Sequence, residues 1–402
     1  MKSLLFVTER FWPEEFVIND LASEAARRGF KVTVLTQQPS YPQGRMPSDR
    51  LNHFFSNEKW EGVEILRIKT VLGYKGSLFY KLFNYLWFAG YATLIALLIR
   101  RRFDRVFIYQ TGPLTMAIPG LFYGKIRHVP VAIWTQDVWP DSVYAYGFRK
   151  TSVLSRSLDI FVAWVYRSAT VVLISCKGFE RVLGNYTDKQ MIYAPNWPLF
   201  SFKHLAAQVV ISDIPIFLFA GNIGKIQNLE NVIKGFAIAS RNTSFRGILR
   251  IVGDGSALES LRILANKENV KVDFPGRIHS SAMQEEYEQA QFLVMSLIGK
   301  PAFRLTVPSK FQMYVSVGKP MLCAAEGEVR NLVREFDLGV DADADSPTSI
   351  AAAFIRLSET TGQERERWRS NAILASSSVF DQQQIINSII ASIDTMNVAG
   401  DF

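Results

Sequence analysis

The stretch Ser3–Thr36, "SLLFVTERFWPEEFVINDLASEAARRGFKVTVLT", decides the fold class. It starts with a short apolar run, continues through a helical pattern that stops at Gly29, and ends on a second apolar run, "KVTVLT". Short apolar runs on either side of a residue pattern with helical period are typical of a strand, a helix and a second strand. This unit predicts a parallel sheet, because two parallel strands need a crossover connection between them.

The same alternation continues along the chain in two series. The first adds "VEILRI", "RVFIYQ", "VPVAIW" and "ATVVLIS", and the second runs through "PIFLFAGNIG", "GILRIVGDG", "VKVDFPG", "FLVMSL" and "PMLCAA". Two such series in 402 residues predict an α/β protein, in which two doubly wound parallel-sheet domains face each other across a cleft. We expect domains at residues 1–205 and 206–377, and a terminal helix within 378–402 that crosses back to the first domain.

The positive charge is concentrated in the first half of the chain. The formal net charge is +8, and residues 1–200 hold 25 Lys and Arg against 15 Asp and Glu. Such a surface could bind nucleic acid, an anionic membrane or phosphorylated substrates. We expect no nucleic-acid partner, because no recognition motif with interleaved aromatic and basic residues occurs. The two cysteines, Cys176 and Cys323, lie in apolar runs, which suits a reducing cytosol.

Leu82–Ile99 is a run of eighteen residues in which only Asn84 is clearly polar, and Arg100–Arg102 follow it. A membrane span, a buried core helix and an interfacial helix are all compatible with this run. A span would place "VEILRI" and "RVFIYQ" on opposite sides of a bilayer, which conflicts with their belonging to one sheet. The aromatic residues and flanking cations favour an interfacial helix within 78–102. We therefore expect a cytoplasmic protein, peripheral on the inner face of the cytoplasmic membrane.

Three glycine-containing turns follow strands of the second series. Gly221 and Gly224 precede Lys225 in "AGNIGKIQNLE", Gly253 lies in "IVGDGSALESL", and Gly276 lies in "VDFPGRI". Bare backbone amides at the start of a helix can approach a phosphate. A single turn of this kind is equally explained by the turn geometry that glycine permits. Three of them, followed by "VPSKFQMYVSVGKP", favour an anionic ligand.

Two carboxylates, Asp137 and Asp141, come directly after the apolar run that ends at Trp134. Burial of a carboxylate is costly unless it is hydrogen-bonded or faces a cleft. Asp141 fits the start of a helix, because Pro140 precedes it, and we expect it to be a helix cap. For Asp137 a role near a ligand is favoured over core packing.

The acidic segment "DADAD", Asp341–Asp345, is predicted to be a loop and not a metal site. A calcium loop of the EF-hand type would need glycine and glutamate where Ser346 and Ala352 stand. The four histidines show no metal-ligand spacing either. We expect no bound metal.

Taken together, these motifs resemble the family 4 glycosyltransferases, which have two Rossmann-like domains in the GT-B arrangement. The resemblance covers nearly the whole chain, and its carriers are the opening stretch, "IWTQDVWPDS", "APNW", "AGNIGKIQNLE", "IVGDGSALESL", "VDFPGRI" and "VPSKFQMYVSVGKP". Within the family the chain is similar to bacterial enzymes that build O-antigen and capsule repeat units, including L-fucosaminyltransferases. This resemblance implies transfer of an acetamidodeoxy sugar, such as N-acetyl-L-fucosamine, from a UDP donor to a saccharide on an undecaprenyl-diphosphate-type lipid. It also implies retention of anomeric configuration and no cofactor beyond the UDP-sugar substrate.

The resemblance also implies roles for single residues. Lys310 would meet the departing diphosphate and Asp137 would lie near the reacting sugar, so these two are the catalytic candidates. Acceptor binding falls to Glu14, Glu15 and Asn19. The donor-binding candidates are Gly221, Asn222, Gly224, Lys225, Gly253, Gly276, Arg277, Pro308, Ser309 and Lys310.

Three departures from the family pattern limit this transfer. Asn222 and Gln227 stand where many members have arginine and lysine, Leu305 and Met313 replace a pair of glutamates, and Gln136 replaces a histidine. The ribose and sugar-hydroxyl contacts of those residues are therefore not expected at the same positions here. The alternative function is a nucleotide-sugar epimerase of the same fold. It would need a histidine placed for elimination and re-addition of UDP, which the four histidines disfavour.

Overall fold

The computed structural model describes residues 2–41, 44–73, 78–140, 143–144, 151–200, 214–279 and 282–397. The chain divides into two compact units. The first unit contains the residues up to Pro195 and those from Gln383 onward, and the second contains Asn196–Gln382. The boundary predicted from sequence, between residues 205 and 206, falls outside the described residues.

The first unit is built on an eight-stranded sheet in the order β3-β4-β2-β1-β5-β6-β7-β8. Its strands are β1 (Ser3–Val7), β2 (Lys31–Gln37), β3 (Phe55–Trp60), β4 (Val63–Ile68), β5 (Arg105–Gln110), β6 (Val131–Thr135), β7 (Val171–Ile174) and β8 (Met191–Tyr193). All pairs are parallel except β3 with β4, which is antiparallel. In the centre of the sheet, Val7 pairs with Leu35 on one side and with Ile108 on the other. The carboxyl ends of β2, β1 and β5 therefore meet at one edge.

The helices of this unit follow the strands as crossover connections. They are α1 (Val17–Arg27), α2 (Leu78–Leu98), α3 (Ile118–Arg127), α4 (Ser152–Ser168) and α5 (Gly178–Leu183). Helix α1 shows why this stretch is helical: its residues Ile18, Leu21, Ala22 and Ala25 recur at helical spacing and are all buried.

The second unit has a six-stranded, fully parallel sheet in the order β11-β10-β9-β12-β13-β14. Its strands are β9 (Ile216–Ala220), β10 (Ile248–Val252), β11 (Val272–Gly276), β12 (Phe292–Ser296), β13 (Met321–Ala324) and β14 (Gly339–Ala342). Its helices are α6 (Leu229–Ser240), α7 (Leu258–Lys267), α8 (Met283–Gln289), α9 (Ser309–Val317), α10 (Glu328–Glu335), α11 (Pro347–Ser358) and α12 (Gly362–Ser378). Phe217 packs edge-on against Phe354 with ring centroids 4.9 Å apart, in a core shared by the sheet and its helices.

The last described helix, α13 (Gln382–Thr395), belongs almost entirely to the first unit. Its isoleucines 385, 386, 389 and 393 are buried. Two polar contacts also join it to that unit: Arg28 Nη2 donates to Asn387 Oδ1 at 2.5 Å, and Lys2 pairs with Asp394 at 2.5 Å.

The prediction of two doubly wound parallel sheets is confirmed, although three short strands were missed. Strand β3 is a polar edge strand with half-exposed residues, and β8 has only three residues. Strand β14 includes Asp341 and Ala342, so the prediction that all of "DADAD" is a loop is wrong. Asp341 is held in the strand by ion pairs with Arg330 at 3.5 Å and Arg334 at 2.7 Å.

Helix α2 lies between two strands, β4 and β5, that belong to the same sheet. One face buries Asn84, Phe88, Ala92 and Ala96. The other face exposes Phe79, Leu82, Phe83, Leu86, Leu94 and Leu98, and we call these six residues the α2 apolar face. Among the described helices, α2 alone is long and apolar enough to cross a membrane. The most apolar part of Phe79–Leu98 has a mean hydropathy of 1.2 and is 28% buried. A wholly buried core helix does not fit these exposures.

Candidate functional site

In the second unit, three neighbouring strands end in glycines whose backbones interlock. The Gly221 amide donates to Val252 O at 3.0 Å, the Gly253 amide donates to Gly276 O at 2.8 Å, and the Ile223 amide donates to Asp254 O at 2.9 Å. Gly221, Gly253 and Gly276 have φ values of 140°, 138° and 85°. Residues with a side chain rarely adopt these values, so glycine at each position lets the backbones at the three strand ends hydrogen-bond directly to one another.

Gly253 is additionally fixed by close packing. A Cβ at this position would lie 1.9 Å from the carbonyl oxygen of Gly221. By contrast, a Cβ on Gly276 would meet nothing within 4 Å. The three predicted glycines are thus brought together. Among them, only Gly253 is packed so closely against a neighbouring backbone that a side chain cannot fit.

Lys310 lies at the start of α9, after Pro308 and Ser309. Its Nζ atom is buried and has no hydrogen-bond partner among the described residues. It sits 3.7 Å from the centroid of the Phe219 ring and 3.3 Å from the position that a Cβ on Gly221 would take. Burial lowers the pKa of the Lys310 ammonium to about 7. An anion bound against Gly221 would give this amine the counter-charge that the described protein does not supply.

The other predicted donor-binding residues surround this edge with different degrees of exposure. Asn222, Lys225, Arg277 and Ser309 are exposed, and Gly224 and Pro308 are half-buried. The Gly224 amide donates to Gln227 Oε1 at 3.0 Å, so Gln227, which replaces a basic residue of the family, closes the turn instead. The exposed side chains here are therefore Asn222, Lys225, Arg277 and Ser309, and Lys310 adds a buried amine.

In the first unit, Asp137 follows β6 at the carboxyl edge of the sheet, where the Gln136 amide donates to Gln110 O at 2.9 Å. Burial lowers the pKa of Lys81, and the charges of Asp137 and Glu9 oppose this shift. Lys81 of α2 therefore interacts electrostatically with two carboxylates that follow different strands. The predicted cap residue, Asp141, lies outside the described residues.

Glu9, two residues past β1, was not among the residues predicted from sequence. It is only 4% exposed, and its Oε1 atom has no hydrogen-bond partner within the described part of the chain. Burial raises the pKa of the Glu9 carboxyl to about 7, against the opposing charges of Arg10 and Lys81. The available sequence signal was an acidic residue directly after the first apolar run, in "SLLFVTER".

Two of the three predicted acceptor residues hold their own loop together. Glu14 Oε1 accepts from the amides of Ser40 at 2.7 Å and Tyr41 at 2.6 Å. Asn19 Nδ2 donates to Glu14 O at 2.7 Å, and Asn19 Oδ1 accepts from the Trp12 amide at 3.1 Å. Glu15 is exposed. Acceptor binding by these residues stays a prediction, and the contacts of Glu14 and Asn19 give both a structural role.

A metal centre is not apparent in the described ranges. No group of three or more His, Cys, Asp or Glu side chains in them is placed to hold a metal ion. The charged groups at the two sheet edges are single carboxylates and amines, which suit hydrogen bonding to an organic ligand.

Two family profiles match the chain in succession. "Glycosyl transferase 4-like domain" matches residues 15–197, and "Glycosyl transferases group 1" matches residues 202–374. The chain therefore belongs to the family 4 glycosyltransferases of GT-B fold, as the sequence motifs indicated.

A curated relative gives a more distant comparison. The chain is 24% identical, over 262 residues, to WcaI of Escherichia coli (strain K12), which is named as a colanic acid biosynthesis glycosyl transferase. The match covers 61% of this chain and 63% of that protein, so the chain spans less than two thirds of the relative's length.

Solved structures show the same fold at low sequence identity. HepE of Anabaena, solved with UDP and glucose, has a TM-score of 0.66 at 12% identity, covering 98% of this chain and 100% of that one. WaaG, a glycosyltransferase involved in lipopolysaccharide biosynthesis, has a TM-score of 0.66 at 14% identity, with the same coverage. A UDP-forming α,α-trehalose-phosphate synthase from Burkholderia vietnamiensis has a TM-score of 0.73 at 11% identity, covering 100% and 98%. These likenesses establish the GT-B fold.

Proposed function

We propose that the chain transfers a sugar from a UDP donor to a lipid-diphosphate-linked saccharide during assembly of a bacterial surface polysaccharide, such as O-antigen or capsule. The observation that carries this proposal is the buried Lys310 amine beside Gly221, without a hydrogen-bond partner among the described residues. As the glycosidic bond to UDP breaks, the diphosphate gains negative charge, and a fixed cation stabilises that transition state. The relative named for colanic acid biosynthesis and the UDP complex of HepE agree with this assignment.

The finer parts of the proposal rest on the family resemblance. The donor sugar is an acetamidodeoxy sugar such as N-acetyl-L-fucosamine, and the product keeps the anomeric configuration of the donor. The diphosphate is neutralised by Lys310, Lys225 and Arg277 rather than by a metal ion. Asp137, at the edge of the first sheet, lies near the reacting sugar.

Release of UDP that depends on a lipid acceptor tests the function. The purified chain is incubated with a panel of UDP-N-acetylhexosamines, with and without a short-chain lipid diphosphate that carries N-acetylglucosamine. We expect UDP to appear only when both substrates are present. Conversion of the UDP-sugar into its epimer without acceptor would instead establish the epimerase alternative, and neither reaction across the panel would refute the proposed substrates.

The proposed site of action is the inner face of the cytoplasmic membrane, with the α2 apolar face as the contact surface. This face exposes six large apolar side chains in the first unit, and Arg100 and Arg102 are exposed just after it. Helix α3, which packs against α2, also exposes two apolar side chains, Phe122 and Ile126. Apolar side chains beside cations suit the boundary between lipid tails and anionic headgroups. A lipid-linked acceptor would be presented at the same boundary.

Leu86→Asp is expected to reduce binding to anionic vesicles at least tenfold, because it removes a Leu from the lipid phase and places a charge there. Flotation with vesicles of phosphatidylglycerol and phosphatidylethanolamine measures the bound fraction. Leu374→Asp is the matched control, since Leu374 of α12 is 66% exposed and Leu86 is 65% exposed. Equal loss in both variants, or no flotation of the unmodified chain, would remove the α2 apolar face as the contact surface.

A further inference from the structure

Three polar side chains stand at one level of the sheet in the first unit. Val7 pairs with Leu35 of β2 and Ile108 of β5, and the Thr8 amide continues this register by donating to Leu35 O at 3.1 Å. Two residues beyond that pairing lie Gln37 at the end of β2, Gln110 at the end of β5, and Glu9, which follows β1 between these two strands. We call these three residues the edge row.

The edge row is buried, and only part of its side-chain hydrogen-bonding capacity is used: Gln110 Nε2 donates to Gly112 O at 2.6 Å. The exposed fractions are 1% for Gln37, 4% for Glu9 and 0% for Gln110. Both amide atoms of Gln37, Oε1 of Glu9 and Oε1 of Gln110 have no hydrogen-bond partner within the described ranges. The second Glu9 oxygen points to the loop after β5, where a Cβ on Gly112 would lie 3.8 Å from it. Four unused polar atoms at the ends of three neighbouring strands are unusual, because buried polar groups are almost always satisfied.

We propose that Glu9, flanked by Gln37 and Gln110, binds hydroxyl groups of the acceptor sugar at the carboxyl edge of the first sheet, which rests on the glycosyltransferase function proposed above. Three of the four unused atoms are acceptors and one, Gln37 Nε2, is a donor. Vicinal hydroxyls of a pyranose can donate to the former and accept from the latter. A site built to bond a hydroxyl discriminates strongly against analogues that lack it, so the edge row is also the specificity element for the acceptor.

The charges around Glu9 favour a neutral ligand over a cation. Arg10 and Lys81 bring positive charge to the Glu9 carboxylate, Glu14 brings negative charge, and Asp137 faces Lys81 from the end of β6. These two positive and two negative groups balance, so the surroundings of the Glu9 carboxylate have no excess of negative charge to hold a metal ion. A sugar hydroxyl needs no compensating charge and forms a charge-assisted hydrogen bond with the carboxylate.

Glu9→Gln distinguishes a ligand-binding carboxylate from a structural one, because the two roles give opposite changes in stability. The variant keeps the size of the side chain and removes a buried charge. At about pH 8 the carboxylate of the unmodified chain is ionised, so we expect the variant to melt roughly 5 °C higher. The raised pKa of Glu9 means that stability falls as pH rises from 4.5 through about 7, so the gain should shrink toward pH 5.

The second readout is acceptor use. With a UDP-N-acetylhexosamine and the short-chain lipid diphosphate of N-acetylglucosamine, the acceptor KM of Glu9→Gln should rise about tenfold, the scale of losing one charged hydrogen bond. The Kd of UDP, measured by calorimetry, should not change. Glu58→Gln is the matched control for stability: Glu58 pairs with the fully buried Arg67, so its loss should lower the melting temperature.

The possible outcomes distinguish failure of acceptor binding by Glu9 from failure of the proposed glycosyltransferase function. An unchanged acceptor KM in a variant of an active protein overturns the inference and leaves the function standing. No acceptor-dependent UDP release by the unmodified chain counts against the function, and the stability readout then decides the role of Glu9. A lower melting temperature of Glu9→Gln at about pH 8 would make Glu9 structural. If Mg²⁺ stabilises the unmodified chain and this effect is lost in Glu9→Gln, then Glu9 binds a cation and not a sugar hydroxyl.

Discussion

Lys310→Met is expected to lower turnover roughly a hundredfold while the protein stays folded. Methionine replaces the lysine side chain with an unbranched apolar chain one atom shorter, and it removes the positive charge that would face the departing diphosphate. The loss should appear in kcat, because the charge contact strengthens only as the bond to UDP breaks. Steady-state UDP release measures it, with hydrogen exchange used to confirm that the second unit is folded.

Stability should move in the opposite direction to activity. Lys310 has an ordinary pKa of 10.5 and a folded pKa of about 7, so the unmodified chain loses stability as pH falls from 10.5 through 7. Lys310→Met has no buried amine and lacks this penalty. At pH values below about 7 its free energy of unfolding should therefore be higher by a few kcal/mol, which is the free-energy equivalent of the pKa difference.

Lys319→Met is the matched control for this result. Lys319 is half-buried, and its pKa is lowered to about 8, but its Nζ donates to Glu288 O at 3.0 Å and Ala290 O at 2.6 Å. Its replacement leaves two carbonyl groups without their donor and should destabilise the second unit with turnover per folded molecule unchanged. Near-normal turnover of Lys310→Met would remove Lys310 from the donor site.

The fold was predictable from the sequence because strands buried on both faces read as continuous apolar runs. β1, β5 and β12 are of this kind, and each was identified. β3 was missed because its exposed and half-exposed residues alternate at the polar edge of the sheet, and β14 because Asp341 is a poor strand former. The ion pairs that hold Asp341 in its strand come from α10, which precedes β14, and are not visible in the local sequence.

The candidate site was predictable only where chain order alone places residues together. The glycine turns after β9, β10 and β11 are such a case, since neighbouring parallel strands end at one edge. Glu9 was not, because its burial and the unsatisfied Oε1 atom of its carboxylate are properties of the packed structure. Glu14 looked like a ligand-facing acid in the sequence, yet its carboxylate is occupied by the Ser40 and Tyr41 amides.

Gly253→Ala is expected to destabilise the second unit by roughly 3 kcal/mol or more, because two backbone segments would have to separate to admit one methyl group. The methyl carbon would lie 1.9 Å from Gly221 O, and no rotation of a side chain can relieve an overlap with backbone. The φ of 138° at Gly253 adds conformational strain. Hydrogen exchange should show loss of protection in peptides covering β9, β10 and β11, with the first unit unaffected.

Comparison with Gly276→Ala separates the cost of backbone strain from the cost of steric overlap. Gly276 also has a positive φ, of 85°, but a Cβ there meets no atom within 4 Å, so only about 1 kcal/mol of conformational strain is expected. A large difference between the two variants means that contact between the loops after β9 and β10 shapes the proposed diphosphate site. Equal small losses would mean that the loops can move apart, and the position of Gly221 beside Lys310 would then not be fixed by Gly253.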